Sequence, residues 1–299
     1  MRAHFGLGSV LYSLGELVPS RSHLEQAIAL YTPQQDRSLI GQAPLGVPCF
    51  ARVASTLWQL GYPDQALTRC HEMLALALEL SDAYNLTRAL QYAAGLHRLR
   101  REGATAQERA EASLALSTEQ EFVHWVGPGT FWRGWALAAQ GQGEEGIAQM
   151  QQGMASRQAT GAMGTRTTYL ALLAEAYGET GQAEEGLRLL TEALALIDNT
   201  GVRYDEPELY RIKGELLLRQ AVPDAPQAEA CFQQALDVTR RQQAKSYELR
   251  TTMSLSRLWQ RQGKHTEARE LLAPIYGWFT EGFDTADLQE ARTLLDELA

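Results

Sequence analysis

The sequence predicts an all-α protein, a right-handed α-solenoid of about seven helix hairpins with a C-terminal capping helix. Three observations carry this: an internal period near forty residues, a recurring order of small and large residues around turn glycines, and prolines that fall almost entirely between the proposed helices. The stretch Gly141-Gln-Gly-Glu-Glu-Gly-Ile147 returns forty residues later as Gly181-Gln-Ala-Glu-Glu-Gly-Leu187. A fixed period of this size marks stacked supersecondary units, none of which can bury its apolar face alone.

Around each turn glycine a small residue lies seven before and a large one four before; small residues lie five and twelve after, and a large one nine after. For Gly141 these are Gly134, Leu137, Gly146, Gly153 and Met150; for Gly181 they are Ala174, Tyr177, Gly186, Ala193 and Leu190. Gly15 has Gly8, Leu11, Ser20, Ala27 and Leu24. Gly61 has Ala54, Leu57 and Ala66, with its last two sizes altered to Cys70 and Met73, and Gly263 follows loosely with Ser256, Trp259, Ala268, Leu272 and Ile275. A sixth copy has Gly214 and Leu217, a turn near Ala221 lengthened by Pro223 to Pro226, then Ala228, Phe232 and Ala235. The copy between Leu86 and Leu116 is the weakest; its turn is expected near Glu102 or Gly103, and its register stays open.

Antiparallel helices approach to about 8 Å only where the contact residues are small, and a large residue one turn away then fills the partner's groove. The pattern resembles the tetratricopeptide (TPR) repeat, with a spacing nearer forty than the usual ~34 residues. The repeats are expected at 1–34, 47–82, 86–120, 127–161, 167–200, 207–243 and 247–282, with a capping helix at 285–298, in a single superhelical domain spanning 1–299. In that last helix Leu288, Ala291, Leu294, Leu295 and Leu298 share one face. Pro274 is the misplaced proline and is expected to kink or end the last second helix. The stretch Thr32 to Pro48, with three prolines and two glycines, reads as a connection or a small recognition loop. Met1 to Tyr12 already reads as helix with no polar layer ahead of it, which points to a longer polypeptide or a fragment of one.

Apolar residues are 45% and aromatics 8% of the 299 residues, enough for a packed helical protein. The net charge of −9 supplies no basic field for a phosphate backbone, so nucleic acid is disfavoured. Cys49, Cys70 and Cys231 are odd in number and never in a CxxC pair, which suggests neither a disulfide framework nor a zinc site. No signal peptide and no apolar run of membrane-spanning length is apparent, so the expected location is the cytoplasm and no membrane partner is expected.

On stretches such as Tyr204-Asp-Glu-Pro-Glu-Leu-Tyr-Arg-Ile-Lys-Gly-Glu-Leu-Leu-Leu218 and Leu271-Leu-Ala-Pro-Ile-Tyr-Gly-Trp-Phe279, the chain resembles the C-terminal TPR region of large bacterial signalling proteins, over essentially its whole length and most strongly from Phe122 to the end. Those proteins join a class III adenylate or guanylate cyclase domain to a STAND-type AAA ATPase. Neither catalytic part is present, so the resemblance implies a regulatory or interaction module that has ATPase or cyclase domains as possible partners N-terminal to it in a longer polypeptide.

The search for chemistry yields no catalytic residue, cofactor or metal ligand. Gly141-Gln-Gly-Glu-Glu-Gly146 fits GxGxxG but follows a helix and carries two carboxylates where a pyrophosphate would lie. No GxxxxGK[ST] is present. Cys70-His71 are helix neighbours that point about 100° apart. The six histidines have no ligand spacing, and the pairs Glu144/Glu145 and Glu184/Glu185 suit helix starts.

What remains is the face of the first helices. Its N-terminal half offers Phe5, Tyr12, Trp58, Phe131 and Trp135; its C-terminal half offers Arg211, Glu215, Arg219, Arg257, Gln260 and Arg261. Trp58, Phe131, Trp135, Arg211, Arg219, Arg257 and Arg261 are the expected groove residues for a peptide or partner helix with apolar and acidic groups. Aromatic side chains packing between repeats is the competing reading. The expected function is a noncatalytic protein-interaction scaffold, the regulatory or sensory arm of a bacterial signalling ATPase or cyclase. The alternative is a small-molecule sensor that binds a metabolite on the concave face.

Overall fold

The computed structural model describes residues 1–32, 44–159 and 165–299. Most of the expected Thr32–Pro48 connection, the end of the first expected repeat and residues 160–161 of the fourth lie outside the described residues. Among the described residues there are fifteen α-helices. They are α1 (Arg2–Ser13), α2 (Leu17–Ala29), α3 (Gly46–Gln59), α4 (Pro63–Leu80), α5 (Ala83–Leu99), α6 (Gly103–Glu119), α7 (Val123–Ala139) and α8 (Gly143–Ala159). Then come α9 (Arg166–Glu179), α10 (Ala183–Thr200), α11 (Glu206–Arg219), α12 (Ala225–Gln242), α13 (Lys245–Arg261), α14 (His265–Tyr276) and α15 (Ala286–Glu297). They pack pairwise as a TPR-like repeat solenoid, with α1 on α2, α5 on α6, α7 on α8, α9 on α10, α11 on α12 and α13 on α14. The chain divides into two compact units, 1–58 with 64–165 and 59–63 with 166–299.

The turns explain the period. Left-handed residues fall at Gly61, Ser81, Arg101, Glu121 and Gly141, one every twenty positions, and again at Gly181 and Gly201. A helix of about 17 residues and a three-residue turn therefore alternate, and two of each make the forty-residue unit. Glycine meets the positive φ freely, whereas Ser81, Arg101, Glu121 and Gln243 adopt it with a Cβ present.

The positions seven before and five after each hairpin turn face one another. Ser20 Oγ donates to the Gly8 carbonyl at 2.8 Å, and Ser256 Oγ donates to the Ala268 carbonyl at 3.1 Å. This fixes the register of the third hairpin. Its turn residue is Arg101, not Glu102 or Gly103, and its small pair is Ala94 and Ala106, both fully buried. Ser113 Oγ then donates to the Thr87 carbonyl at 3.2 Å, as the next contact along the hairpin. The register was hidden because the turn glycine is an arginine and the large residue nine after it is Ala110.

In the first unit the α7–α8 hairpin is the tightest. A Cβ on Gly134 would lie 2.7 Å from the Gly146 carbonyl oxygen, and one on Gly153 would lie 2.6 Å from the Gly127 carbonyl oxygen. Two glycine pairs thus let the backbones touch. Gly127 and its neighbour Pro128 lie inside α7, which begins at Val123, ahead of the expected repeat start at 127.

In the second unit Leu249, Met253, Ala268, Leu272 and Ile275 form one core cluster with Leu288, Ala291, Leu294 and Leu298, so α15 covers the last hairpin with its apolar face. Pro274 falls in the last turn of α14, where it removes the N–H that would donate to the Glu270 carbonyl, and the helix ends two residues later at Tyr276.

Candidate functional site

In both units the first helices of successive hairpins stand side by side: α5 touches α7 in the first unit, and α9, α11, α13 and α15 follow one another in the second. The two rows carry different chemistry.

In the first unit Asp82 caps α5, accepting from the backbone N–H groups of Tyr84 and Asn85 at 3.2 Å each, and so sets where the aromatic residues of that helix begin. Tyr84 meets Phe122 with ring centroids 5.5 Å apart and Trp125 at 6.0 Å, both edge-on. Tyr92 and His124 reach Trp125 at 6.4 Å each. Beside this shelf Gln91 Nε2 donates to the Trp125 carbonyl at 2.8 Å, tying α5 to α7. The Arg88 guanidinium sits 5.7 Å from the Tyr84 ring centroid, and its Nη1 donates to the Pro44 carbonyl at 3.3 Å. Arg88 Nε, Gln91 Oε1 and Trp125 Nε1 are buried and have no protein partner. Such atoms cost about 1–3 kcal/mol each until a ligand group or water satisfies them.

In the second unit the row is a ladder of alternating charge. Arg211 Nη2 lies 2.8 Å from Glu175 and its Nε 2.8 Å from Glu208. Arg250 lies 3.7 Å from Glu208 and 2.8 Å from Asp287. Burial opposes the charge on Arg211, but Glu208 and Glu175 outweigh it and hold the guanidinium protonated well above its ordinary range. Next to the ladder Asp205 accepts from Tyr247 Oη at 2.7 Å and from the Thr168 hydroxyl, which also meets Tyr204 Oη at 2.9 Å.

The expected groove residues separate accordingly. Trp58 and Phe131 do not line an open face: they are 2% and 0% exposed, because their rings fill the space between helices. Trp135 is half-buried, and Arg219 and Arg261 are exposed. Arg211 is engaged by Glu175 and Glu208, and Arg257 lies 2.6 Å from Glu290. Two of the four expected arginines of the second unit are thus paired with carboxylates and two are exposed, while the ladder itself holds three carboxylates to two guanidiniums. Tyr84, Tyr92, Trp125, Arg88 and Gln91 were missed. The first two lie in the hairpin whose register was open, and Trp125 precedes the expected start of its repeat.

Burial pushes the Cys70 thiol up to about 12, which removes it as a nucleophile beside His71. Among the described residues no cluster of three or more His, Cys, Asp or Glu residues is arranged to hold a metal ion, and no helix is long and apolar enough to cross a membrane. An open cleft of about 600 Å³ lies between α6 and α7, lined by Glu111, Leu114, Ala115, Thr118, Glu119, Thr130 and Arg133.

Residues 249–274, which span parts of α13 and α14, match the tetratricopeptide repeat model. Among curated proteins none matches the chain. Similar solved structures include a Rap protein complexed with competence and sporulation factor, at 11% identity over 99% of this chain and 76% of that one, with a TM-score of 0.64. NprR in complex with its cognate peptide NprX is similar at 12% identity over 99% and 82%, with a TM-score of 0.60. The apo form of RapI is similar at 13% identity over 99% and 98%, with a TM-score of 0.57. At these identities the likeness is one of fold. The chain carries a tetratricopeptide repeat at 249–274 and folds as a stack of TPR-like hairpins.

Proposed function

We propose that the chain is a noncatalytic interaction module that holds an extended peptide or a partner helix on the aromatic shelf of its first unit. The observation that carries this is the coincidence, on one row of helices, of aromatic rings with buried polar atoms that have no protein partner. Tyr84, Tyr92 and Trp125 offer anchoring area at low entropic cost. Arg88 Nε, Gln91 Oε1 and Trp125 Nε1 are two donors and one acceptor buried at the same place, and they complement a peptide backbone once a neighbouring side chain moves to admit it. The fold likeness to NprR, solved with a peptide, supports the same reading. Trp135, half-buried ten residues further along α7, is a separate candidate anchor of the first unit; in the second unit Arg219 and Arg261 are exposed cations that suit an acidic group, whereas Arg211 and Arg257 are held by carboxylates. The broader setting is the sensory arm of a bacterial signalling ATPase or cyclase.

A random peptide display selection against the full chain tests this, with Trp125→Ala and Gln91→Ala as counter-targets. Enriched peptides with apolar anchors should lose binding to both variants; peptides that bind all three chains equally overturn the shelf. The α6–α7 cleft favours a second reading, a small-molecule effector. Selection that enriches no peptide, together with a metabolite retained by the wild-type chain and lost on Arg133→Ala, would decide for it.

A further inference from the structure

The histidines are scattered along the sequence, but the first hairpin brings two of them together. His4 lies on α1 eleven residues before the turn glycine Gly15, and His23 lies on α2 eight residues after it. At Gly8 the two helices close so far that a Cβ would lie 2.7 Å from Leu24, and Ser20 Oγ donates to the Gly8 carbonyl at 2.8 Å. One helical turn farther from Gly15, that approach sets His4 Nδ1 3.0 Å from His23 Nδ1. The ring centroids are 5.2 Å apart, so the two nitrogens are the leading atoms of rings that meet head-on rather than stack. A single proton serves both nitrogens, and it marks the point on which their lone pairs converge.

The repeat itself does not ask for histidine at either place. The same two offsets hold Phe50 and Arg69 around Gly61, Thr130 and Gln149 around Gly141, Leu170 and Leu189 around Gly181, and Thr252 and Leu271 around Gly263. Packing residues therefore satisfy the hairpin, and the imidazole pair is peculiar to the first one. Of the other histidines His97 is engaged by Glu102, while His71, His124 and His265 are exposed. His4 and His23 are half-buried, held by their helices yet open to solvent on one side.

We propose that His4 and His23 form a two-histidine site for a divalent transition-metal ion, which takes the place of the shared proton and staples α1 to α2. Both rings then carry their remaining proton on Nε2, and a small turn of each ring brings its Nδ1 lone pair onto the ion. Two nitrogens that stay 3.0 Å apart and bind at ~2.0–2.1 Å subtend about 95° at the ion. That is a cis angle of square or tetragonal coordination, which suits Cu2+ and Ni2+; a tetrahedral ion such as Zn2+ needs the nitrogens to part by a few tenths of an ångström. Water fills the remaining positions, and a donor atom of a bound molecule can replace it there.

The test titrates the full chain, free of any affinity tag and freed of metal by a chelator, with Cu2+ and separately with Ni2+, followed by calorimetry. One ion per chain is expected, with affinity weakened about tenfold or more by either His4→Phe or His23→Phe. Phenylalanine keeps the ring that packs between the helices, so both variants should retain the melting temperature of the metal-free wild type. His71→Ala/His124→Ala/His265→Ala, which removes the isolated exposed imidazoles, should bind as the wild type does. The Cu2+ electron paramagnetic resonance spectrum should show coupling to two imidazole nitrogens, and the bound ion should slow amide exchange in α1 and α2. No saturable binding, or binding lost in the triple variant, overturns the proposal. Binding kept by His23→Phe would also overturn it, since His4 with the amino group of Met1 would then hold the ion.

Discussion

The α7–α8 hairpin of the first unit and the α11–α15 row of the second both bring helices into close contact, by opposite chemistry. In the hairpin, side chains are absent: Gly127, Gly134, Gly146 and Gly153 let carbonyls of one helix rest where Cβ atoms of the other would be. In the row, side chains do everything: Arg211 and Arg250 link three carboxylates from three different helices. Where α7 meets α5, beside the first arrangement, three buried polar atoms have no protein partner, whereas the charges of the ladder are paired with one another. A surface with unmet demands suits a ligand, and a surface that has met them suits a scaffold.

The largest expected effect comes from breaking the ladder on one side. Arg250→Ala leaves the buried Asp287 without its guanidinium and should cost about 3–5 kcal/mol in chemical denaturation. Arg250→Met/Asp287→Leu should lose far less, since it removes both charges; an equal loss would mean that the ladder acts through packing rather than charge. In the hairpin, Gly146→Ala sets a Cβ 2.6 Å from the Gly134 carbonyl oxygen and should cost about 3 kcal/mol by overpacking. At the nearby turn, Gly141→Ala meets no atom within 4 Å and should cost only about 1–2 kcal/mol, through its φ of +88°. If the two glycine variants cost the same, backbone contact is not what distinguishes this hairpin.

Smaller effects sharpen the contrast within the first unit. Burial alone would raise the Glu102 carboxyl, but hydrogen bonds to His97 and Arg100 outweigh it and hold it below its ordinary 4.5. A depressed folded value means that Glu102 stabilises fully above the ordinary value and that this contribution is lost as the pH falls through the lower folded one. Glu102→Gln should therefore flatten the acid limb of a melting-temperature profile below about pH 4.5. The smallest effect belongs to Glu121, exposed and left-handed at φ 57°. Glu121→Gly should raise stability by about 0.5 kcal/mol, as relief of the Cβ clash exceeds the added freedom of the unfolded chain.

The repeat is written in the order of residue sizes. Small residues seven before and five after a turn glycine are demanded wherever two helices close on each other, so Gly134 with Gly146 and Ala174 with Gly186 announced their hairpins. Where one demand was met by another residue, as Arg101 meets the turn at φ 62°, the pattern blurred although the fold did not. Tertiary structure alone decided which large residues face out. Trp58 and Phe131 share offsets with groove positions, yet their rings fill gaps between helices, while Tyr84 and Trp125 escape burial at the starts of α5 and α7. Offset within a helix fixes only direction around its axis. Whether that direction ends in solvent, in a carboxylate such as Glu175, or in a neighbouring helix depends on the partner that packing brings there.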